Sequence, residues 1–96
     1  MIKETFPVNI IPDFRQLLYG DDIYDKDTDE LQYEYIQSSI EYVDLEKCYK
    51  IIRIIFKRIL DNTFFECRYN YSYHWEDDDA IATQVFPKEE TITVYE

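Results

Sequence analysis

One histidine and two cysteines are the residues of this chain best suited to bind a metal or to act as a nucleophile and its base. His74 lies in the stretch FFECRYNYSYHW, residues 64–75. There Phe65, Cys67, Tyr69, Tyr71, Tyr73 and Trp75 alternate with Glu66, Arg68, Asn70, Ser72 and His74. Period two is the repeat of a half-buried strand, and it sends Cys67 and His74 to opposite faces. A zinc site or a Cys–His pair needs both on one face, so neither is expected. Cys48 falls among the apolar positions of the segment 44–61 described below. Both cysteines are therefore expected as reduced, buried residues.

Asp25-x-Asp27-x-Asp29 begins like a calcium-binding loop. Glycine is required next but Glu30 stands there, and the twelfth position holds Ile36 instead of a bidentate glutamate. With 21 Asp and Glu in 96 residues, a pair of carboxylates suited to acid–base work carries no information. One glycine cannot build a phosphate-cradling loop, and GxSxG, HExxH and CxxC are all missing. The expectation is a protein that is not an enzyme and needs no metal or cofactor.

Charge is the stronger signal. Against the 21 acids stand 10 bases, for a net charge of -11. Five of the bases (Lys47, Lys50, Arg53, Lys57 and Arg58) fall within 44–61. The acids concentrate in two runs. One holds Asp21, Asp22, Asp25, Asp27, Asp29 and Glu30, with Glu34 close behind; the other is Glu76-Asp77-Asp78-Asp79. Such a surface repels nucleic acid and anionic membrane and attracts cationic proteins. At 46% hydrophobic residues the chain is too apolar for a disordered acidic tail. Of the ten tyrosines several lie beside carboxylates: Tyr24 near Asp22 and Asp25, Tyr33 and Tyr35 around Glu34, and Tyr42 beside Glu41. Tyrosine gives a large, fairly rigid contact area with a polar tip, so these residues fit either the rim of a core or a protein-binding surface. The bases of 44–61 form a solvated outer face or are neutralised by acids from 21–34.

The elements that must position these groups follow from periodicity. DLEKCYKIIRIIFKRILD, 44–61, places Leu45, Cys48, Tyr49, Ile52, Ile55, Phe56 and Ile59 at helical spacing. Asp44 suits an N-cap, and Lys57 and Arg58 suit the negative end of the helix dipole. Residues 4–10 predict a short strand, and Pro12–Tyr19 a short helix stopped by Gly20. Residues 21–30 predict an acidic, exposed loop. Leu31–Val43 fits both periods, and Ile36, Ile40 and Val43 tilt it to a helix over 29–42. The C-terminal third predicts an antiparallel meander of 64–75, 80–86 and 91–96 with turns at 76–79 and 87–90. The expected fold is a single α+β domain, 1–96. In it a central amphipathic helix packs on a C-terminal three-stranded antiparallel meander, with one or two further N-terminal helices. No apolar run reaches 18 residues and MIKETFPVNIIPDF lacks a secretory h-region, so a cytoplasmic protein is expected.

These features together imply a small acidic inhibitor whose partner is a basic, nucleic-acid-handling protein such as an effector or nuclease. In size, acidity and lack of catalytic motifs the chain is similar in kind to counter-defence proteins of viruses and mobile elements, the anti-CRISPR and anti-restriction type, in which carboxylates imitate nucleic-acid phosphates. The same electrostatics would serve an immunity protein against a cationic nuclease toxin. A non-catalytic structural or adaptor domain is the third class. The expected contact residues are Asp21, Asp22, Tyr24, Asp25, Asp27, Asp29, Glu30, Tyr33 and Glu34 in one cluster and Glu76, Asp77, Asp78 and Asp79 in the other.

Overall fold

The computed structural model describes residues 3–72, 80–88 and 94–95. The fold is mostly β. Six antiparallel strands form one curled half-barrel sheet in the order β1 (Thr5–Pro7), β6 (Ile81–Val85), β5 (Thr63–Ser72), β4 (Tyr49–Arg58), β3 (Leu31–Asp44) and β2 (Ile23–Tyr24). A 3-10 turn (Val8–Ile10) and a four-residue helix, α1 (Arg15–Leu18), cover its inner face. A separate pair joins β7 (Pro87–Lys88) to β8 (Val94–Tyr95). No helix among the described residues is long and apolar enough to cross a membrane.

The predicted central helix is a strand between two hairpin loops, and this overturns the α+β expectation. Asp44 does cap a turn: its Oδ1 accepts the Lys47 N–H at 3.0 Å. That is N-cap chemistry, but the chain goes no further as a helix, because Cys48 turns to φ 56° and sends it back as β4. At the far end Asn62, at φ 57°, closes the matching loop into β5. Between the loops lies YKIIRIIFKR, where four isoleucines and two aromatics favour extended backbone. Register then sorts them. Ile52, Ile54 and Phe56 face Tyr69, Cys67 and Phe65 on the inner side, while Ile51, Arg53 and Ile55 point outward. Ile55 is nevertheless fully buried, as is Val85, outside the inner core cluster. A central strand that buries an outward isoleucine beside its inner ones loses its clean alternation, and adjacent apolar doublets then imitate a helical stripe.

The 29–42 helix is likewise replaced, by β3. Its apolar spacing is made by two bulges. Pairing with β4 slips between Tyr35 and Gln37 and again between Ile40 and Tyr42, so Ile36 and Glu41 are extra residues. Each bulge adds one residue to the period-two repeat. Ile40 and Val43 thus share the inner face although they stand three apart, opposite Ile52 and Lys50.

In the C-terminal third β5 and β6 pair as expected, but the described residues of the predicted third strand, 94–95, do not join them. Beyond β6 the sheet continues through β1, and β8 pairs with β7. Tyr73, His74, Trp75 and the turn at 76–79 lie outside the described residues. At the other terminus only Thr5–Pro7 of the predicted 4–10 strand is extended. The short helix is present, and Gly20 stops it at φ 82°, donating to the Leu17 carbonyl at 3.2 Å.

The core is aromatic. Phe56 lies 5.7 Å from Phe65, 5.8 Å from Phe14 and 5.9 Å from Tyr33, ring centre to ring centre, and Phe6 closes on Phe65 at 4.9 Å. Leu17 fills the space under α1 and is fully buried. Cys67 is buried as expected; Cys48 is not, and stands exposed in the β3–β4 loop.

Cys48 provides a test whose sign separates strand from helix. A side chain in the left-handed region costs about 1–2 kcal/mol, a cost glycine escapes at an entropic penalty of about 0.5–1 kcal/mol. Cys48→Gly should therefore raise stability in denaturant unfolding by up to about 1 kcal/mol. Within a helix the same change would lower it by about a few tenths of a kcal/mol.

Candidate functional site

The acidic segment 21–30 forms the hairpin from β2 into β3, and its carboxylates divide by role. Asp22 is half-buried and its Oδ1 accepts the Tyr35 N–H at 2.8 Å, tying the hairpin to the bulged part of β3. Asp25 Oδ1 accepts from the Asp27 and Thr28 N–H groups at 2.8 and 2.9 Å. These backbone donors hold the Asp25 carboxyl below its usual range. Asp29 takes the left-handed conformation at φ 60°, which aspartate tolerates better than most residues. Asp21, Asp27, Asp29 and Glu30 are exposed and make no ion pair with a described residue. Beside this loop a pocket of about 310 Å³ is lined by Asp13, Tyr24, Asp25, Asp27 and Tyr33 among others. Lys26 reaches across it to Asp13 at 3.1 Å.

The two tyrosines of the expected contact set part company. Tyr24 is exposed. Tyr33 packs its edge on Phe56, and burial raises its hydroxyl pKa. Glu34 is half-buried opposite Lys57 in the β3–β4 ladder. The second cluster, Glu76, Asp77, Asp78 and Asp79, lies outside the described residues. Among the described residues no three of His, Cys, Asp and Glu come together to hold a metal ion. The 25–30 carboxylates build a turn, with Asp25 spent on backbone donors.

Two cations of 44–61, Arg53 and Arg58, are neutralised, though not by the acids of 21–34. On the outer face Arg53 and Arg68 are register partners, which alone would repel. Glu66 bonds Arg53 at 3.0 Å and Arg68 at 2.6 Å, and Glu41 bonds Arg68 at 2.9 Å and approaches Arg53 at 3.9 Å. The bulge at Glu41 delivers that carboxylate to the pair. At the end of β4 the Arg58 guanidinium spans two acids: Glu4 at 2.6 and 2.9 Å and Asp61 at 2.6 and 3.0 Å. Arg15 and Lys50 lie over the Tyr71 ring at 5.5 and 5.3 Å from its centre. The Arg58 clamp was not legible in the chain, because Glu4 and Arg58 are 54 residues apart. Asp25-x-Asp27-Thr28, by contrast, carried a local signal, an aspartate bonding the backbone two and three residues on.

Comparison with protein-family models, with curated proteins and with solved structures finds no match to this chain. Its function is read from its own residues.

The clamp makes a pH prediction. Hydrogen bonds from Arg58 push the Asp61 carboxyl far below its ordinary value of 3.8 and the Glu4 carboxyl below 4.5. Depressed folded-state values mean that the unfolded chain takes up these protons first. The stabilisation is thus complete above the ordinary range and lost as pH falls through the folded values. Arg58→Met should lower Tm at neutral pH, and the gap to the wild type should close as the solution is acidified below 3.8. A gap constant across that range would show that the clamp contributes packing alone.

Proposed function

We propose that this protein is a small acidic inhibitor without catalytic activity, which binds a basic, nucleic-acid-handling protein and occupies its nucleic-acid channel. The counter-defence role, against a CRISPR effector or a restriction enzyme, is the reading placed first. The observation that carries it is the partition of charge. Arg53, Arg58 and Arg68 are paired within the fold, whereas Asp27, Asp29 and Glu30 on the β2–β3 hairpin and Asp21 just before β2 are exposed without an ionic partner among the described residues. The exposed carboxylates of 21–30 are therefore not diluted by Arg53, Arg58 or Arg68. Carboxylates on a loop braced by Asp22 and Asp25 are held in place before binding, which reduces the ordering cost of forming charge-assisted bonds to Arg or Lys. Tyr24 supplies an exposed aromatic beside them.

The experiment is capture from host lysate followed by competition with duplex DNA. A nucleic-acid-handling protein that DNA displaces is the expected result, and loss of its DNA binding or cleavage when this protein is added completes it. Capture of a co-encoded toxin would shift the reading to immunity. A captured protein indifferent to DNA and to salt would overturn the mimicry.

A further inference from the structure

The six-stranded sheet is guarded at β1, which has three residues and ends in Pro7, but not along β3. β2 pairs only with Leu31–Tyr33, so among the described residues most of the 14-residue β3 has no strand on its outer edge. Asp22 takes the Tyr35 N–H, and beyond it Gln37–Val43 are exposed without interruption. Ile40 is 58%, Tyr42 48% and Val43 50% exposed. An edge of this kind presents a row of unpaired N–H and C=O groups, and proteins normally blunt it with proline, lysine, bulges or brevity; the bulge at Glu41 interrupts the segment but leaves Gln37–Ile40 in regular register. QSSIEYV, 37–43, has no proline or lysine. Its one charge, Glu41, is turned onto Arg68 and Arg53.

We infer that this edge is a self-association surface: the 37–43 strands of two copies pair antiparallel about a two-fold axis and join their sheets. The choice of a second copy rests on charge. A cationic partner is drawn to the carboxylates of the 21–30 hairpin, whereas 37–43 is a neutral strip on a chain of net charge -11. It is the part of β3 where two such chains can meet without opposing uncompensated carboxylates. Antiparallel self-pairing is isologous. With the axis at Ile40, where Gln37 pairs with Val43, Glu41 faces the uncharged Ser39 of the other copy. Ile40, Tyr42 and Val43 then gain cross-strand neighbours on both faces of the extended sheet. The inference does not depend on the inhibitory role.

The test is sedimentation equilibrium of the full chain over a concentration series, in low salt and in about 1 M salt, where the screening length is about 3 Å. A mass that doubles with concentration is expected, at lower concentration in high salt because repulsion between the acidic bodies is suppressed. The 37–43 amides should gain hydrogen-exchange protection with concentration. Ile40→Glu combined with Tyr42→Glu should keep the monomer's circular dichroism and raise the dimer dissociation constant at least tenfold. A monomeric mass throughout the high-salt series overturns the inference. So does a dimer that the double variant leaves unchanged, or one whose 37–43 amides stay unprotected, since association would then use another surface.

Discussion

Phe56→Ala is expected to unfold much of the population of this protein under conditions where the wild type is folded. Phe56 is fully buried at the centre of β4, and its ring touches rings from the loop before α1 (Phe14), from β3 (Tyr33) and from β5 (Phe65). Replacing a buried phenylalanine by alanine costs about 3–5 kcal/mol through lost transfer energy and the cavity left behind. A domain of this size has a total stability of about 5–15 kcal/mol. The loss is therefore a large fraction of the whole, and Tm should fall by more than about 10 °C. Leu60→Ala is the control. Helical periodicity places Leu60 on the flank of the apolar stripe; in the fold it sits in the β4–β5 loop, 90% exposed. Its removal should change stability by no more than about 0.5 kcal/mol. Denaturant unfolding of both variants checks the assignment. A Phe56 variant that loses under about 1 kcal/mol would mean that the inner face of β4 is not the core.

Reversal of Asp21, Asp27 and Glu30 to lysine should cut association with the captured basic partner by a factor of about 10 to 10³, the range that electrostatic steering contributes. The three changes take the net charge from -11 to -5. Asp22 and Asp25 are left in place because their carboxylates hold backbone N–H groups, and reversing either would disturb the loop itself. Asp29 is left because a lysine at φ 60° would be strained. With this choice the variant should keep the wild-type Tm, so lost binding reports the surface and not the fold. Glu46→Lys provides the comparison. Glu46 is exposed in the β3–β4 loop, at the opposite end of the 14-residue β3 and roughly 40 Å away at strand rise. That separation exceeds the screening length of about 8 Å at 0.15 M salt several-fold. Its reversal should leave association nearly unchanged at that salt. Stopped-flow association over a salt series decides the matter. Rates flat with salt and equal for all variants would place the interface on an apolar surface.

Local chemistry was legible wherever a few neighbouring residues sufficed to determine it. Gly20 stops α1, Asp44 caps a turn, the 64–72 alternation makes β5, and Ile81–Val85 pairs beside it. The acidity of 21–30 and the exposure of Asp27 and Glu30 follow from composition in the same way. What sequence alone left open is how segments far apart in the chain meet. A hairpin strand between two turns and a helix of the same length share the doublets Ile51-Ile52 and Ile54-Ile55, and propensity separates them by less than packing does. Tertiary pairing made both 31–44 and 49–58 strands, because β4 gains a ladder on each edge and buries Ile52, Ile54 and Phe56 in the inner core, which an isolated helix at 44–61 would lack. The bulges at Ile36 and Glu41, invisible in the chain, produced the helical spacing of β3. Net charge was determined by residue counts, but its presentation was decided by the fold. Sheet register set Arg53 and Arg68 between Glu41 and Glu66, and strand closure brought Glu4 to Arg58, so these three arginines are consumed internally while Asp27, Asp29 and Glu30 are not.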